Sequence, residues 1–268
     1  MAQGAAFFDL DRTVIAKGSL LAFSRPFYRE GLLSRRLLVR AAWGQLRFSW
    51  FGASQKAVDR LRLRLLRLIE GWEADRVRSI VAGTLAQVIG PITYAEALSL
   101  IAEHKSAGRK VYIVSAAPSE IAEPLARHLG ADGAIATRAA VSGGRYTGAL
   151  EQYPYGPAKA AAIAEVAGRE GLDLSASWAY SDSASDVPML EAVGHPVVVN
   201  PERALRRIAQ MRGWPIVRFS QPAVVTPKGH RPLRTGLVSA AGAAAAVGLA
   251  VAVVVLVRRR PGLPAAPA

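Results

Sequence analysis

The stretch FFDLDRTVI sets Asp9 and Asp11 two residues apart, directly after an apolar run, with Thr13 two further on. Carboxylates this close repel each other, and burying either one costs on the order of several kcal/mol unless a cation or hydrogen bonds compensate. A hard divalent cation such as magnesium, which takes oxygen ligands, suits the pair. A fully extended strand would point both side chains to one face. A loop would instead offer the first side chain and the backbone carbonyl of the second. DxD alone is weak, because many surface loops carry it. Three later stretches add to it. VYIVSAAPS places Ser115 after a second apolar strand, with Pro118 opening a helix. A hydroxyl and free N–H groups at a helix start form an anion site, although Ser115 alone reads equally as an ordinary N-cap. YGPAKAAA places Lys159 in the first turn of an alanine-lined helix, where it opposes the helix dipole unless an anion is near. Alone it reads as a surface lysine. WAYSDSASDVPML follows a third strand with Asp182 and Asp186, spaced to reach one metal from a loop and a helix start. Alone these read as a capping Asp182 or Ser185 and a solvated Asp186.

Strands and helices in alternation would position these residues. Ala5–Leu10, Lys110–Val114, Trp178–Tyr180 and His195–Val199 read as strands, and Gly133–Tyr146 as short strands around a turn at SGG. Tyr94–Ala107, Pro118–Leu129, Pro157–Gly168, Asp186–Val193 and Pro201–Met211 read as helices. The expected fold is α/β, a Rossmann-like parallel sheet with helices on both faces. Aspartates just past a buried strand then fall at the carboxyl end of the sheet, where open α/β sheets place ligands. Between the first strand and Pro91 the leucines fall at helical spacing with arginines between them, which predicts an all-helical insert.

The chain has 268 residues and no cysteine, which excludes disulfides, thiolate metal sites and cysteine nucleophiles. The formal net charge is +14, and residues 14–90 hold 14 Lys and Arg against 5 Asp and Glu. Such an excess points to an anionic partner: a phosphorylated substrate, anionic lipid or nucleic acid. The N-terminus lacks the basic and apolar regions of a secretory signal.

Taken jointly and in this order, each at a strand or helix edge, the four stretches resemble the haloacid dehalogenase superfamily of phosphohydrolases. FDLDRT matches its first motif, VSAAPS its second, Lys159 its third and YSDSASDVPML its fourth. The helical insert resembles the cap of the branch that includes phosphoserine phosphatase (subfamily IB). The resemblance covers residues 5–219. It implies that residues 1–13 and 91–220 form the catalytic core and 14–90 the cap. It also implies roles. Asp9 would be the nucleophile that forms an aspartyl-phosphate, and Asp11 the general acid and then base. Mg2+ would be held by Asp9, the Asp11 carbonyl and Asp182, with Asp186 in support. Ser115 and Lys159 would bind the phosphoryl oxygens, with Thr13 bracing the first loop. The chain departs from the family in places. Ala116 and Ala117 follow Ser115 where glycine is common, and SDSASD stands where GDGxND is common. Where phosphoserine phosphatases carry a glutamate that grips the substrate ammonium, this chain has Lys17, Gly18 and Ser19, which argues against phosphoserine.

The cap segment mixes Arg35, Arg36, Arg40, Arg47, Arg60, Arg62, Arg64 and Arg67 with Trp43, Phe48, Trp50, Phe51 and Trp72. That mixture suits a membrane interface, or a helical cap with an arginine-rich outer face. After a linker at 221–235, residues 236–257 carry no charge, and at about 1.5 Å per residue they would span roughly 33 Å, a bilayer core. Arg258, Arg259 and Arg260 end the run, and a basic, Pro- and Ala-rich tail occupies 258–268. The expected protein is therefore a magnesium-dependent phosphomonoesterase tethered by one C-terminal helix, with its catalytic domain cytosolic. It would act on a lipid-type or small-metabolite phosphate near an anionic membrane surface. A phosphoserine-type metabolite phosphatase, an inactive membrane scaffold and a basic nucleic-acid-binding protein are the rival readings. No nucleic-acid recognition motif is present.

Overall fold

The computed structural model describes residues 3–34 and 63–221. Seven strands form one sheet in the order β4-β3-β2-β1-β5-β6-β7. They are β1 (Ala5–Asp9), β2 (Lys110–Pro118), β3 (Gly133–Ser142), β4 (Arg145–Gln152), β5 (Trp178–Ser181), β6 (His195–Val199) and β7 (Ile216–Val217). Every pairing is parallel except β3 with β4. The helices are α1 (Ser19–Ala22), α2 (Ser24–Arg29), α3 (Ala74–Ile89), α4 (Ala95–Ser106), α5 (Ser119–His128), α6 (Pro157–Glu170), α7 (Val187–Glu191) and α8 (Arg203–Arg212). Residues 63–69 are also helical.

β1 is buried along its whole length because both faces of the sheet are covered. Its side chains alternate between two apolar layers. Ala6 and Phe8 join the layer of α3, α4 and α5. Ala5 and Phe7 join the layer of α6, α7 and α8. Phe8 stacks on Tyr180 at 4.2 Å between ring centroids, and Phe7 on Tyr112 at 5.6 Å. The chain runs from β1 to β2 on one side and returns to β5 on the other. The crevice between these strand ends is the topological switch point.

The structure extends several expectations. β2 continues to Pro118 through an irregularity after Val114, so α5 begins at Ser119 and Ser115 is not its N-cap. The SGG turn closes a long antiparallel hairpin, and Gly143 and Gly144 have φ of 57° and 75°. Such values at both central residues suit a two-residue hairpin turn. The two-residue edge strand β7 lacks a sequence signal of its own. The end of the insert is tied to this hairpin. Gly71 N–H donates to the Tyr146 carbonyl, Ala74 N–H to Gly144, and Arg145 pairs with Glu73. Trp72 packs partly buried against the core, so it is not part of an outward aromatic face. Of the cap arginines and aromatics expected at an interface, those within 35–62 lie outside the described residues, as does the 236–257 run. Among the described residues no helix is long and apolar enough to cross a membrane.

Candidate active site

β1 delivers Asp9 as its last residue, between the ends of β2 and β5. The chain then turns tightly, with Val14 and Ile15 N–H groups both donating to the Leu10 carbonyl, at 3.0 and 3.1 Å. Arg12 enters the left-handed region at φ 65° to make this turn, a conformation a non-glycine residue adopts at some energetic cost. The turn carries Asp11 toward α1. Its Oδ1 accepts the backbone N–H of Ser19 at 2.8 Å, at the start of α1. Thr13 is fully buried, and its hydroxyl has no hydrogen-bond partner among the described residues.

Lys159 arrives from the opposite side of the sheet order. Gly156, at φ 58° and ψ −128°, precedes Pro157 at the start of α6, a backbone state that glycine supplies without strain. The first turn of α6 then carries Lys159 into the crevice. Its Nζ donates to Asp9 Oδ1 at 2.6 Å and to Asp186 Oδ2 at 2.7 Å. Ser181, the last residue of β5, also donates to Asp186 Oδ2, at 2.7 Å. Asp182 follows, and its Oδ2 pairs with Arg12 Nε at 3.0 Å. Asp9, Lys159, Asp182 and Asp186 are 7%, 3%, 3% and 2% exposed, so solvent does little to screen them. Ser115 is buried in β2, one residue past the partner of Asp9, and its Oγ accepts the Ala117 N–H at 3.0 Å.

Burial and neighbouring charge act in opposition here. Burial raises the Asp9 carboxyl to about 7, with Lys159 opposing and the other two aspartates adding to the rise. Burial likewise raises Asp182 to about 6 against the pull of Arg12. Asp11 is raised by burial, with Ser19 opposing. For Lys159, burial alone would lower the ammonium, but Asp9 and Asp186 outweigh it and hold it above its ordinary range. Asp9 and Asp186 thus share the buried Lys159 ammonium while Asp182 meets the exposed Arg12, so three buried carboxylates face two cations and negative oxygen donors are in excess. Among the described residues no three acidic or imidazole side chains gather into a metal cage, with Lys159 standing between Asp9 and Asp186.

The crevice therefore unites Asp9, Lys159, Asp186 and Asp182, with Ser115 on the neighbouring strand. Asp11 and Thr13 belong to the loop that follows Asp9, Asp11 with Oδ1 on the Ser19 N–H and Thr13 fully buried. The readings of Lys159 as a surface lysine and Asp186 as a solvated carboxylate give way to burial. Capping in the fourth stretch falls instead to Ser183, whose side chain accepts the Ser185 N–H. Sequence reasoning passed over Ser181 and Arg12. Ser181 sits five before Asp186, a spacing with no recognisable signal. Arg12 reads as an arbitrary residue between two motif positions.

A central carboxylate, a buried lysine on it and acidic partners from the next strand end define a Rossmann-like hydrolase site. Residues 6–191 match the haloacid dehalogenase-like hydrolase family. The chain belongs to that family, as an enzyme of the phosphatase type. It is 52% identical over 248 residues to the inhibition of morphological differentiation protein of Streptomyces azureus, covering 90% of each chain. It is 48% identical over 240 residues to a probable phosphatase of Mycobacterium tuberculosis, covering 90% of this chain and 84% of that one. A phosphoserine phosphatase of the same organism is 35% identical over 217 residues, covering 80% of this chain and 70% of that one. Among solved structures, a Bordetella pertussis protein of unknown function superposes with a TM-score of 0.72 at 28% identity, over 81% of this chain and 99% of that one. A substrate-bound phosphoserine phosphatase shares the fold with a TM-score of 0.52 at 23% identity, over 77% of this chain and 90% of that one.

Proposed function

We propose that this protein hydrolyses phosphate monoesters through an aspartyl-phosphate on Asp9 while tethered to a membrane by residues 236–257. The observation that carries the chemistry is the Asp9 carboxylate at the end of the central strand, held through Oδ1 by a buried lysine. Lys159 fixes that oxygen and leaves Oδ2 to attack phosphorus in line. The phosphorus–oxygen bond to the alcohol breaks as the Oδ2–phosphorus bond forms. Asp11 gives its proton to the departing alkoxide, a role that suits a carboxyl raised by burial. Asp11, now ionised, takes a proton from water as that water attacks phosphorus. The Oδ2–phosphorus bond breaks as the bond to water forms, so inorganic phosphate leaves and the Asp9 carboxylate is restored. The Ser115 hydroxyl and Lys159 ammonium bind the phosphoryl oxygens through both steps. Magnesium fits the donor set, because the excess of buried carboxylate oxygens over cations is what a hard divalent ion satisfies. Asp9, Asp182 and the Asp11 carbonyl would hold it, with Asp186 in support, and once bound it supplies positive charge between nucleophile and phosphate.

For substrate, we favour a lipid-type or other membrane-borne phosphate monoester, on the strength of the basic charge and the uncharged run at 236–257. A phosphoserine-type activity is the second reading, favoured by the phosphoserine phosphatase relative. Against it stands the AKGSL segment. Lys17 is exposed there, and the Ser19 N–H is already committed to Asp11. The test is phosphate release with and without magnesium, on an aryl phosphate, phosphoserine and a lysophosphatidate, beside Asp9→Asn. Magnesium-dependent turnover lost in the variant, with the lipid phosphate ahead of phosphoserine, is the expected result. Phosphoserine ahead of the others would transfer the assignment to the second reading.

A further inference from the structure

The last described residues, Ser220 and Gln221, lie at the catalytic edge of the sheet. The Gln221 carbonyl accepts the Ala95 N–H at 2.9 Å, and Glu96 Oε1 accepts the N–H groups of Ser220 and Gln221 at 2.8 and 3.1 Å. Next to Ala95, the Tyr94 N–H donates to Val14 in the loop that carries Asp11. Asn200, just past β6, clamps Phe219 by a reciprocal pair of hydrogen bonds at 2.9 and 3.1 Å. The C-terminal exit, the ends of β6 and β7 and the catalytic loop therefore share one edge.

The segment bordering that edge, α8 and β7, is basic and holds a cavity. Residues 200–221 hold five arginines and a single acid, Glu202. Arg212 pairs with Glu191, whereas Arg203, Arg207 and Arg218 are exposed and make no ion pair among the described residues. Arg206 and Arg218 line a cavity of about 520 Å³ with Asn200, Ile216, Phe219 and Ser220. Ile216, which lines the cavity, and Met211, near the end of α8, are exposed large apolar side chains. Arginines mixed with exposed apolar side chains suit the headgroup region of a bilayer.

We infer that α8, the end of β7 and the cavity between them form a docking face for an anionic phospholipid bilayer, which turns the catalytic edge toward the membrane. This rests on the tethered reading above. The fourteen residues from 222 to 235 could extend at most roughly 50 Å, so a tether in the following run does not by itself choose which face of the catalytic unit meets the bilayer. Charge complementarity at the exit removes that freedom, and each arginine at an anionic surface changes partitioning by about fivefold. A phosphate monoester standing out of the headgroup layer is then the substrate class that this edge meets first.

The test places the full chain in nanodiscs of phosphatidylcholine alone, or of phosphatidylcholine with phosphatidylglycerol, and follows amide hydrogen exchange over residues 200–221. Phosphatidylglycerol is expected to slow exchange severalfold where phosphatidylcholine does not. The R203Q/R207Q/R218Q variant should lose that protection with an unchanged melting temperature. Equal exchange in the two lipids, or protection that survives in the variant, would overturn the inference. So would equal protection by inorganic phosphate without lipid, which would make a free anion the occupant. A chain that enters neither nanodisc would sink the tether instead. Flotation on phosphatidylglycerol vesicles then decides the face by itself: binding lost in the variant supports it, and no binding overturns it.

Discussion

At the scale of single residues, the crevice separates groups proposed to act on phosphate from groups that hold the fold. Asp9 is a buried carboxylate whose ionisation burial opposes, so its amide should be tolerated. Asp9→Asn is expected to lower kcat by about a thousandfold or more and to leave the melting temperature unchanged or raised. Lys159 is the reverse case, the one described cation on both Asp9 and Asp186. Lys159→Met strands two carboxylates and should destabilise by about 3–5 kcal/mol, read from urea midpoints beside Asp9→Asn. Equal stability of the two variants would contradict this assignment of charge. Asp9, Lys159, Asp182 and Asp186 were legible in the sequence because each sits at a strand or helix edge with an ionisable group that a buried site would need. Arg12 and Ser181 were not. Their contribution depends on where a turn and a strand end aim a side chain, and no spacing encodes that. The direction of Asp11 toward the start of α1 was likewise hidden, since it follows from the left-handed turn at Arg12.

At the scale of elements, the loop between α6 and β5 locks the far ends of the strands. Ser177 Oγ accepts the Ala5 N–H at 2.9 Å, and the Ser177 carbonyl accepts the His195 N–H at 3.0 Å. Backbone passes so near that a methyl on Gly194 would lie 1.7 Å from the Ser175 carbonyl oxygen, and one on Gly4 2.0 Å from that of Ala176. Gly194→Ala and Gly4→Ala should each destabilise by about 3 kcal/mol or more by overpacking. Because this loop lies at the edge opposite Asp9, kcat of the folded fraction should hold. On the same far side, His104 is buried, with Arg109 Nε donating to its Nδ1 and Nε2 bonded to the Tyr180 hydroxyl, both at 2.8 Å. Burial first and Arg109 second lower its pKa to about 4. The unfolded chain therefore binds the proton at higher pH than the folded one. The histidine's contribution is full above about 6.5 and falls as pH drops from there toward 4, by at most about 1.4 kcal/mol per pH unit. Asp9 and Asp182 titrate across the same window with the opposite sign, since their folded values are raised. Comparing the wild type with His104→Gln isolates the histidine: the melting temperature of the variant should fall less between pH 7 and pH 5. The sheet and its flanking helices were legible from alternating apolar runs. β7 was not, because a two-residue edge strand is defined by its neighbour and not by its own composition. The length of the β3–β4 hairpin escaped for a related reason: only three of its eighteen side chains are buried, so the apolar alternation is weak.

At the scale of the whole molecule, the question is what the proposed tether would contribute beyond the chemistry proposed for the crevice. A soluble phosphomonoester reaches the crevice by diffusion whether or not the chain is anchored. A phosphate carried in a bilayer does not, because enzyme and substrate then occupy different phases. An anchor converts that encounter into one on a shared surface, with an effective concentration in the millimolar range for a short flexible link. Removing residues 236–268 should therefore split the two activities. Turnover of a water-soluble aryl phosphate should be unchanged, since every residue of the crevice lies in 3–221. Turnover of a lysophosphatidate held in vesicles should fall by about a hundredfold to ten-thousandfold, and the shortened chain should leave the membrane pellet for the supernatant. Adding anionic lipid to the vesicles should restore part of that loss, because the arginines around α8 remain. An equal fall on both substrates would mean that the tail supports the fold. No fall on either, with the full chain already in the supernatant, would mean that the uncharged run does not anchor this enzyme and that its substrate comes to it from water.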